Sequence, residues 1–173
     1  QVFFSPAFMV EHGFVRPGGD GFTLAPCLVK PKSVGELKLK SKSPHEHPLI
    51  NPNYLSHEDD MNAMIEGYKI AAKLLHSKSF KPYFSNYYRP HDRLNSISEI
   101  KELIRFNMEA MYHPVGTCKM GNDPMAVVDH TLKVHGLNGL RVVDASIMPT
   151  IIAGNTNAPV IAVAEKASDI IIG

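Results

Sequence analysis

The sequence lacks the features that mark several classes of protein. It has two cysteines and no tryptophan among 173 residues. Cys27 and Cys118 are too few for a disulfide framework, and neither forms the Cys-x-x-Cys pair of a zinc site or redox motif. No run reaches the roughly 18 consecutive apolar residues of a membrane-spanning helix. We therefore expect a soluble protein without a membrane span. Its compartment stays open, and secretion is one possibility.

An excess of charge of one sign is also missing. Lys and Arg total 18 and Asp and Glu total 17, which gives a formal net charge of +1. This balance provides no general attraction to phosphate backbones, so nucleic acid is not an expected partner. With 44% hydrophobic and 20% charged residues, the composition is that of a globular protein and excludes disorder, collagen and coiled coil.

Two motifs of larger enzymes are absent as well. No Gly-x-Gly-x-x-Gly follows a predicted strand, so the chain carries no dinucleotide fingerprint of its own. No Gly-x-Ser-x-Gly nucleophile elbow occurs either. The chain starts Gln1-Val2 without an initiator Met or a basic-then-apolar leader. We expect that processing or truncation has removed whatever preceded it.

Short apolar periodicity predicts strands in the first third of the chain. In the segments 22–31 and 35–40, apolar residues recur with a short period, and Pro, Gly and Ser residues bound each segment. We expect the two segments to pair as antiparallel neighbours. Residues 1–19 are broken by Pro and Gly and predict an entry segment, and 41–52 predict a loop. Short apolar pieces at 126–128 and 140–143 predict short strands and turns.

Three helices are predicted from caps and helical spacing. Ser56-x-x-Asp59 resembles a capping box before a helix over 57–76. Ser96-x-x-Glu99 precedes a second helix over 97–111, which we expect to end at His113-Pro114 because proline disfavours helical geometry in the preceding residue. A third helix is expected over 158–172, with Asn157 as a possible cap and Pro159 in its first turn. Its predicted buried side consists of Val160, Ile161, Val163, Ala164, Ala167, Ile170 and Ile171. The combination predicts an α+β fold, with an antiparallel sheet and packed helices.

His113 is the first candidate for chemistry. A histidine at the junction of a helix and a loop can exchange a proton near neutral pH. The alternative is a cap or a hydrogen-bonded core histidine. A second candidate is the polar loop 154–159, whose asparagines open a helix with free N–H groups and partial positive charge, although Asn157 could simply cap that helix. The third is Asp144 at the end of an apolar run, which could bind a polar ligand group or cap a turn.

Two further patterns are weaker. His45-Glu46-His47 offers two metal ligands, but it lies in a proline-rich loop with no third ligand at a fixed spacing, so we assign no metal. Cys118 and His113 could form a thiol nucleophile and its base, yet cysteine is mostly a small buried hydrophobe.

The C-terminal motifs together resemble a known family. They are Tyr112-His113-Pro114-Val115-Gly116-Thr117-Cys118-Lys119-Met120-Gly121, then Val127-Val128-Asp129, then Gly139-Leu140-Arg141-Val142-Val143-Asp144-Ala145-Ser146-Ile147-Met148-Pro149, and Gly154-Asn155-Thr156-Asn157-Ala158-Pro159. In order and spacing they resemble the C-terminal region of the glucose-methanol-choline oxidoreductases, and among these most the insect glucose-dehydrogenase-like branch.

The resemblance implies an FAD-dependent enzyme that oxidises a small-molecule alcohol, with oxygen or a quinone as the electron acceptor. It implies an entry segment over 1–19, a substrate domain over 20–112 and a catalytic, flavin-contacting segment over 113–173, which adds the C-terminal part of an FAD-binding domain to the fold. Because the Gly-rich fingerprint is missing, we expect a C-terminal fragment that lacks the N-terminal FAD-binding portion and is inactive by itself. The alternative is a non-catalytic binding module that keeps the fold without FAD.

The resemblance also assigns residues. His113 matches the catalytic histidine of the family, and Asn155 matches the second active-site position, which is His in some members and Asn in others. The residues that match the flavin-contacting segment are Asp144, Ala145, Asn155, Thr156 and Asn157. The implied chemistry is hydride transfer from the alcohol to flavin N5 with His113 as the base.

Overall fold

The computed structural model describes all 173 residues, and the chain divides into two compact units. The first unit comprises residues 1–28 and 55–111, and the second comprises residues 29–54 and 112–173. Each unit combines a two-stranded antiparallel sheet with helices. The predicted α+β class is therefore confirmed, while the predicted division at 1–19, 20–112 and 113–173 stays a prediction.

The sheet of the first unit joins strands β1, Val2–Ser5, and β2, Thr23–Pro26. They are antiparallel, with Phe3 opposite Ala25. The expected pairing of 22–31 with 35–40 is thus wrong, and the entry segment 1–19 contains a strand. Short apolar stretches set the tendency to form a strand, but they do not choose the partner, which depends on packing in the folded chain.

Helix α1, Glu58–Leu75, agrees with the prediction for 57–76, but its cap differs. His57 is the N-cap, and its Nδ1 accepts a hydrogen bond from the backbone N–H of Asp59 at 3.2 Å, so the capping box expected from Ser56 is wrong. The helix packs against β2. Gly67 allows this close approach, since a Cβ there would lie 2.8 Å from Cβ of Pro26.

Helix α2, Ile97–Asn107, begins as predicted and ends earlier than predicted. The capping box is confirmed, with Ser96 Oγ accepting from Glu99 N at 3.2 Å and the Glu99 carboxylate accepting from Ser96 N at 3.1 Å. At the other end Asn107 Nδ2 donates to Leu103 O at 2.9 Å, and Met108 turns to an extended conformation. The last backbone bond of the helix runs from Met108 N to Ile104 O at 2.9 Å, so the helix stops well before His113.

The core of the first unit lies between the two helices. Its buried members recur at helical spacing on α1 and α2, as the stripes in the sequence require. They are Met61, Ile65, Ile100 and Ile104. Leu55, Met64, Tyr68 and Leu94 close the cluster at its edges.

The second unit contains strands β3, Glu36–Lys38, and β4, Leu49–Asn51, which pair antiparallel. β4 lies inside the predicted loop 41–52, so that prediction is wrong for the last residues of the loop. The unit also holds a short 3₁₀ helix, Ala145–Ile147, and helix α3, Asn157–Ile172. Isolated bridges, such as that between Val128 and Val134, replace the short strands expected at 126–128 and 140–143.

A second hydrophobic cluster organises this unit. Its buried members are Val128, Leu132, Ile147 and Ala167. Only Ala167 comes from α3, so the broad buried side predicted for this helix is wrong. Ile161 and Ile171 are each 55% exposed, and Ile172 is 86% exposed. The helix has polar residues on one side, at 165, 166, 168 and 169, and much of its apolar surface is also uncovered. None of the helices combines the length and the apolar composition that a membrane-spanning helix requires.

Candidate functional site

His113 lies in an irregular segment of the second unit, not at the end of a helix as predicted. Tyr112, directly before it, has φ of 60°, a left-handed conformation that is uncommon for a bulky residue. After it, Gly116 has φ of 89°, and a Cβ there would lie 3.3 Å from Met148 O. This segment is held by its backbone, because Cys118 N donates to Ser146 O at 3.0 Å and Met120 N to Ile147 O at 2.8 Å.

Both ring nitrogens of half-buried His113 have a side-chain partner. Nδ1 lies 2.9 Å from Thr156 Oγ1, and Nε2 lies 3.0 Å from Asn155 Nδ2. Thr156 is 8% exposed, whereas Asn155 is exposed. The structure thus brings His113 and Asn155 together, as the sequence predicts. The catalytic roles assigned to them stay predictions.

The start of α3 carries both partners of His113. Thr156 occupies the N-cap position, but its side chain makes no hydrogen bond to the helix. Asn157 is the first helical residue, so the cap predicted for it is wrong. Since no side chain caps this end, the first N–H groups of α3 remain available to an electron-rich ligand.

Asp144 and Ala145 lie apart from the hydrogen bonds around His113. Asp144 is the N-cap of the 3₁₀ helix, and its Oδ1 accepts from Ser146 N at 2.7 Å and from the Ser146 hydroxyl. These hydrogen bonds agree with the alternative interpretation, in which Asp144 caps a turn. Ala145 is half-buried in the same short helix, and the flavin contacts expected for both residues, and for exposed Asn157, stay predictions.

Asp129, in the middle motif, has a local structural role. Its Oδ1 accepts from Thr131 Oγ1 and Thr131 N, each at 2.7 Å, and from Lys133 N at 3.0 Å. The hydrogen bond from the Thr131 hydroxyl, with help from the backbone donors, lowers the pKa of this carboxyl below its ordinary value. The negative charge of Asp129 thus stabilises the turn that supports Val128.

The weaker candidates remain separate from this site. Residues 45–47 lie in an exposed loop, and no group of three His, Cys, Asp or Glu side chains is arranged to hold a metal ion. Cys118 is half-buried and makes no hydrogen bond with His113, whose two ring nitrogens are bonded to Thr156 and Asn155. The geometry gives no thiol and imidazole pair.

The contact between Thr156 and His113 has no counterpart in the sequence predictions. The family resemblance places Thr156 among the flavin-contacting residues, and no local pattern signals a partner that lies 43 residues away in the chain. The one signal in the sequence is that Thr156 directly follows Asn155 at the start of a helix. Consecutive residues at a helix start can contact the same side chain, here His113.

Comparison with known proteins identifies relatives that match nearly the whole of this chain. The chain is 47% identical over 172 residues to an alcohol dehydrogenase (acceptor) of Pseudomonas putida, covering 99% of this chain and 31% of that protein. It is 41% identical over 175 residues to the mitochondrial choline dehydrogenase of Homo sapiens, covering 100% of this chain and 30% of that protein.

A solved structure agrees with these relatives. A variant of the formate oxidase of Aspergillus oryzae RIB40, studied for FAD modification, superposes with a TM-score of 0.87 at 31% identity and covers 98% of this chain and 30% of that one. The chain therefore spans about a third of the length of the relatives it matches. The GMC oxidoreductase model matches residues 31–164, most of the sequence. On this match, the chain belongs to the GMC oxidoreductase family.

Proposed function

We propose that this chain acts as the C-terminal part of an FAD-dependent oxidoreductase that oxidises a small-molecule alcohol. The observation that carries the proposal is the 3.0 Å contact of His113 Nε2 with the amide of Asn155 at the uncapped start of α3. The alcohol and choline dehydrogenases among its relatives support an alcohol as the substrate. The chain covers about a third of their length, which supports a longer polypeptide in which this part works.

The residues around His113 fit a flavin in two respects. The first turn of α3 presents N–H groups without a side-chain cap, which suits the electron-rich N1–C2 edge of the ring. Gly154 precedes Asn155, and a Cβ at this glycine would meet nothing within 4 Å, so the approach to the loop is open. We expect Asn155, Thr156 and Asn157 to lie against the ring, and Asp144 and Ala145 to contact the remainder of the cofactor.

His113 is the proposed base. Its ring is held at a defined place by two side chains and by the backbone of the segment that follows it. When the alcohol hydroxyl lies against Nε2, this nitrogen can take the proton, and the electron pair of the broken O–H bond stays on oxygen. General bases of this kind typically contribute about 10²-fold to 10⁴-fold to the rate.

Asn155 supplies the second polar group. Its amide N–H can leave Nε2 and donate to the substrate oxygen as negative charge develops there. An exposed amide can turn in this way without disturbing the core. A neutral donor also leaves the proton to His113, so the two side chains do different work on one oxygen.

When bound, FAD would supply the hydride acceptor for the alcohol, with oxygen or a quinone as the expected final electron acceptor. The uncapped start of α3 would stabilise the negative charge that the ring gains at its N1–C2 edge.

The relatives named above include an alcohol dehydrogenase and a choline dehydrogenase, so they do not test the predicted insect glucose-dehydrogenase-like branch, which stays a prediction.

The proposal is tested with His113→Ala in the full-length, flavin-loaded enzyme. We expect the anaerobic rate of flavin reduction by alcohol to fall about 10²-fold or more, because the base is lost. The FAD content per chain should stay near normal, since the imidazole is not the anchor of the cofactor. Stopped-flow absorbance measures the rate, and the spectrum of the resting enzyme measures the FAD content.

His130→Ala is the matched control, because it removes an exposed histidine of the same unit. It should reduce the flavin at the wild-type rate. A normal reduction rate in His113→Ala would remove this residue from the mechanism. Loss of FAD in that variant would instead identify His113 as a cofactor ligand.

A further inference from the structure

The first unit contains an open cavity of about 460 Å³ between the C-terminal half of α1 and the loop that leads into α2. Its apolar lining consists of half-buried Ala72 and Leu94 and of Ile100, which is 4% exposed. All of the lining residues belong to the first unit, whereas His113 belongs to the second. The function proposed for His113 therefore makes no use of this cavity.

The ionisable side chains that line the cavity are all basic. Lys69, Lys73 and His76 follow one another at spacings of four and three residues, so they share one face of α1 and its C-cap, and the loop before α2 adds Arg93. No Asp or Glu lines the cavity, although the chain as a whole has 17 acidic and 18 basic residues. The cavity thus concentrates positive charge in a chain that is nearly neutral.

Two of these cations have no carboxylate partner. Lys69 pairs with Glu66 at 2.6 Å, but neither Lys73 nor Arg93 forms an ion pair. Lys73 lies in the last turn of α1, where a cation complements the negative end of the helix dipole, so its position alone requires no ligand. Arg93 comes from a separate loop, however, and like charges around one cavity repel each other unless an anion lies between them.

The loop that carries Arg93 is fixed to α1. Leu94 N donates to Tyr68 Oη at 3.2 Å, and both residues pack against the buried cluster between the two helices. Ser96 follows directly and begins the capping box of α2. Tyr68 also lines the cavity, and since its oxygen accepts the hydrogen bond from Leu94, its own hydrogen is left to donate to a ligand.

We propose that this cavity binds a small molecule that carries an oxyanion group, either a carboxylate or a phosphate, and an apolar part. Lys73 and Arg93 pair with the oxyanion, and the hydroxyl of Tyr68 donates to it. A guanidinium can bond two oxygens of such a group at once, which favours an oxyanion over a simple halide. Leu94 and Ile100 contact the apolar part. The volume lies within the range of about 300–1,000 Å³ that is usual for small-molecule sites.

The test is isothermal titration calorimetry of the full-length, flavin-loaded enzyme with phenyl phosphate, benzoate and benzamide. Benzamide has nearly the same shape as benzoate and carries no charge. At least one of the two anions should bind, about 10-fold or more tightly than benzamide, and its affinity should fall as NaCl screens the exposed charges. The anion that binds more tightly identifies the group as a phosphate or a carboxylate.

The decisive variant combines Lys73→Gln with Arg93→Gln. Both side chains are exposed, so the fold should persist, and the affinity for the anion should fall about 10-fold or more because its two charged partners are lost. The matched control combines Arg16→Gln with Lys78→Gln, two exposed cations of the same unit that do not line the cavity. It changes the net charge equally and should bind the anion like wild type. Should the first double variant fail to fold, Arg93→Gln alone is measured in its place.

Three results would overturn the inference: neither anion binds, benzamide binds as tightly as the anions, or the two double variants lose affinity equally. The flavin absorbance is recorded in each titration, because an anion at the start of α3 would lie beside the ring and change its spectrum. An anion that changes this spectrum and still binds the variant of Lys73 and Arg93 normally lies in the second unit, which also counts against the cavity. None of these results bears on the proposed function, which the reduction rate of His113→Ala tests separately.

Discussion

Substitution of Asn155, whose amide is exposed, best separates an effect on the reaction rate from an effect on stability. Asn155→Ala removes the hydrogen-bond donor 3.0 Å from His113 Nε2 and leaves the backbone of the loop in place. If the side chain served the entry of α3, its loss would destabilise the protein by about 1 kcal/mol, as the loss of a cap does. The N-cap is Thr156, however, and no side chain caps the helix, so this role is not available to Asn155.

The expected magnitudes follow from these contacts. An exposed, neutral hydrogen bond contributes at most about 1 kcal/mol to stability, so the melting temperature should change little. A hydrogen bond to developing charge contributes about 1.5–3 kcal/mol, and its loss slows the step roughly 10-fold or more. The rate of flavin reduction should therefore fall by that factor in the full-length enzyme, with normal FAD content.

Anaerobic stopped-flow reduction and thermal unfolding are measured on the same preparation of Asn155→Ala. Asn138→Ala, an exposed asparagine of the same unit, is the control and should change neither quantity. A destabilised Asn155→Ala protein with a normal reduction rate would refute the reasoning and make Asn155 a structural residue.

Four further predictions concern folding and the cofactor. Ser96→Ala should lower the free energy of unfolding by about 1 kcal/mol at neutral pH. Hydrogen bonds from Ser96 lower the pKa of Glu99, so the part of this contribution that depends on the Glu99 charge is present above the ordinary pKa and is lost as pH falls through the lowered value. The difference between variant and wild type in denaturant unfolding should therefore shrink at acid pH but not vanish, because the bond from Glu99 N to Ser96 Oγ does not titrate. Gly67→Ala should lower the free energy of unfolding by about 1–2 kcal/mol in the same assay, because the new Cβ would lie 2.8 Å from Pro26 Cβ. This close contact outweighs the gain in helix propensity. A stabilised variant would contradict the packing of α1 on β2. Ile147→Ala, at a position 2% exposed, should lower the unfolding free energy by about 2–5 kcal/mol, and a change near zero would mean that the second core is not built as described. The 173-residue chain expressed alone should not retain one FAD per chain, because the contacts proposed for its residues cover only part of the cofactor; a yellow protein with stoichiometric flavin absorbance would disprove this.

Some features of this protein are set by the sequence over short distances. The apolar spacing of α1 and α2 and the capping box of Ser96 and Glu99 depend on residues within one or two turns, so they could be predicted and are confirmed. The family, too, could be predicted from the order and spacing of the motifs around His113 and Asn155, and the match over residues 31–164 confirms it.

Other features are decided only by contacts between distant parts of the chain. β2 pairs with β1 and β3 with β4, although the sequence pattern favours β2 and β3 as neighbours. Helix α3 has the apolar composition of a buried helix, yet its unit buries only Ala167 of it. Alternation and composition describe what a segment can bury, but the partner that buries it is chosen by tertiary packing.

The site divides in the same way. That His113 and Asn155 belong to one site was expected from the family resemblance, and the structure brings their side chains to 3.0 Å. The contacts of the neighbouring residues could not be predicted from the sequence. Thr156 bonds His113, which is 43 residues away, and Asp144 accepts a hydrogen bond from Ser146. Residue type determines which hydrogen bonds are possible, and the tertiary structure determines which donors and acceptors come within about 3 Å of each other.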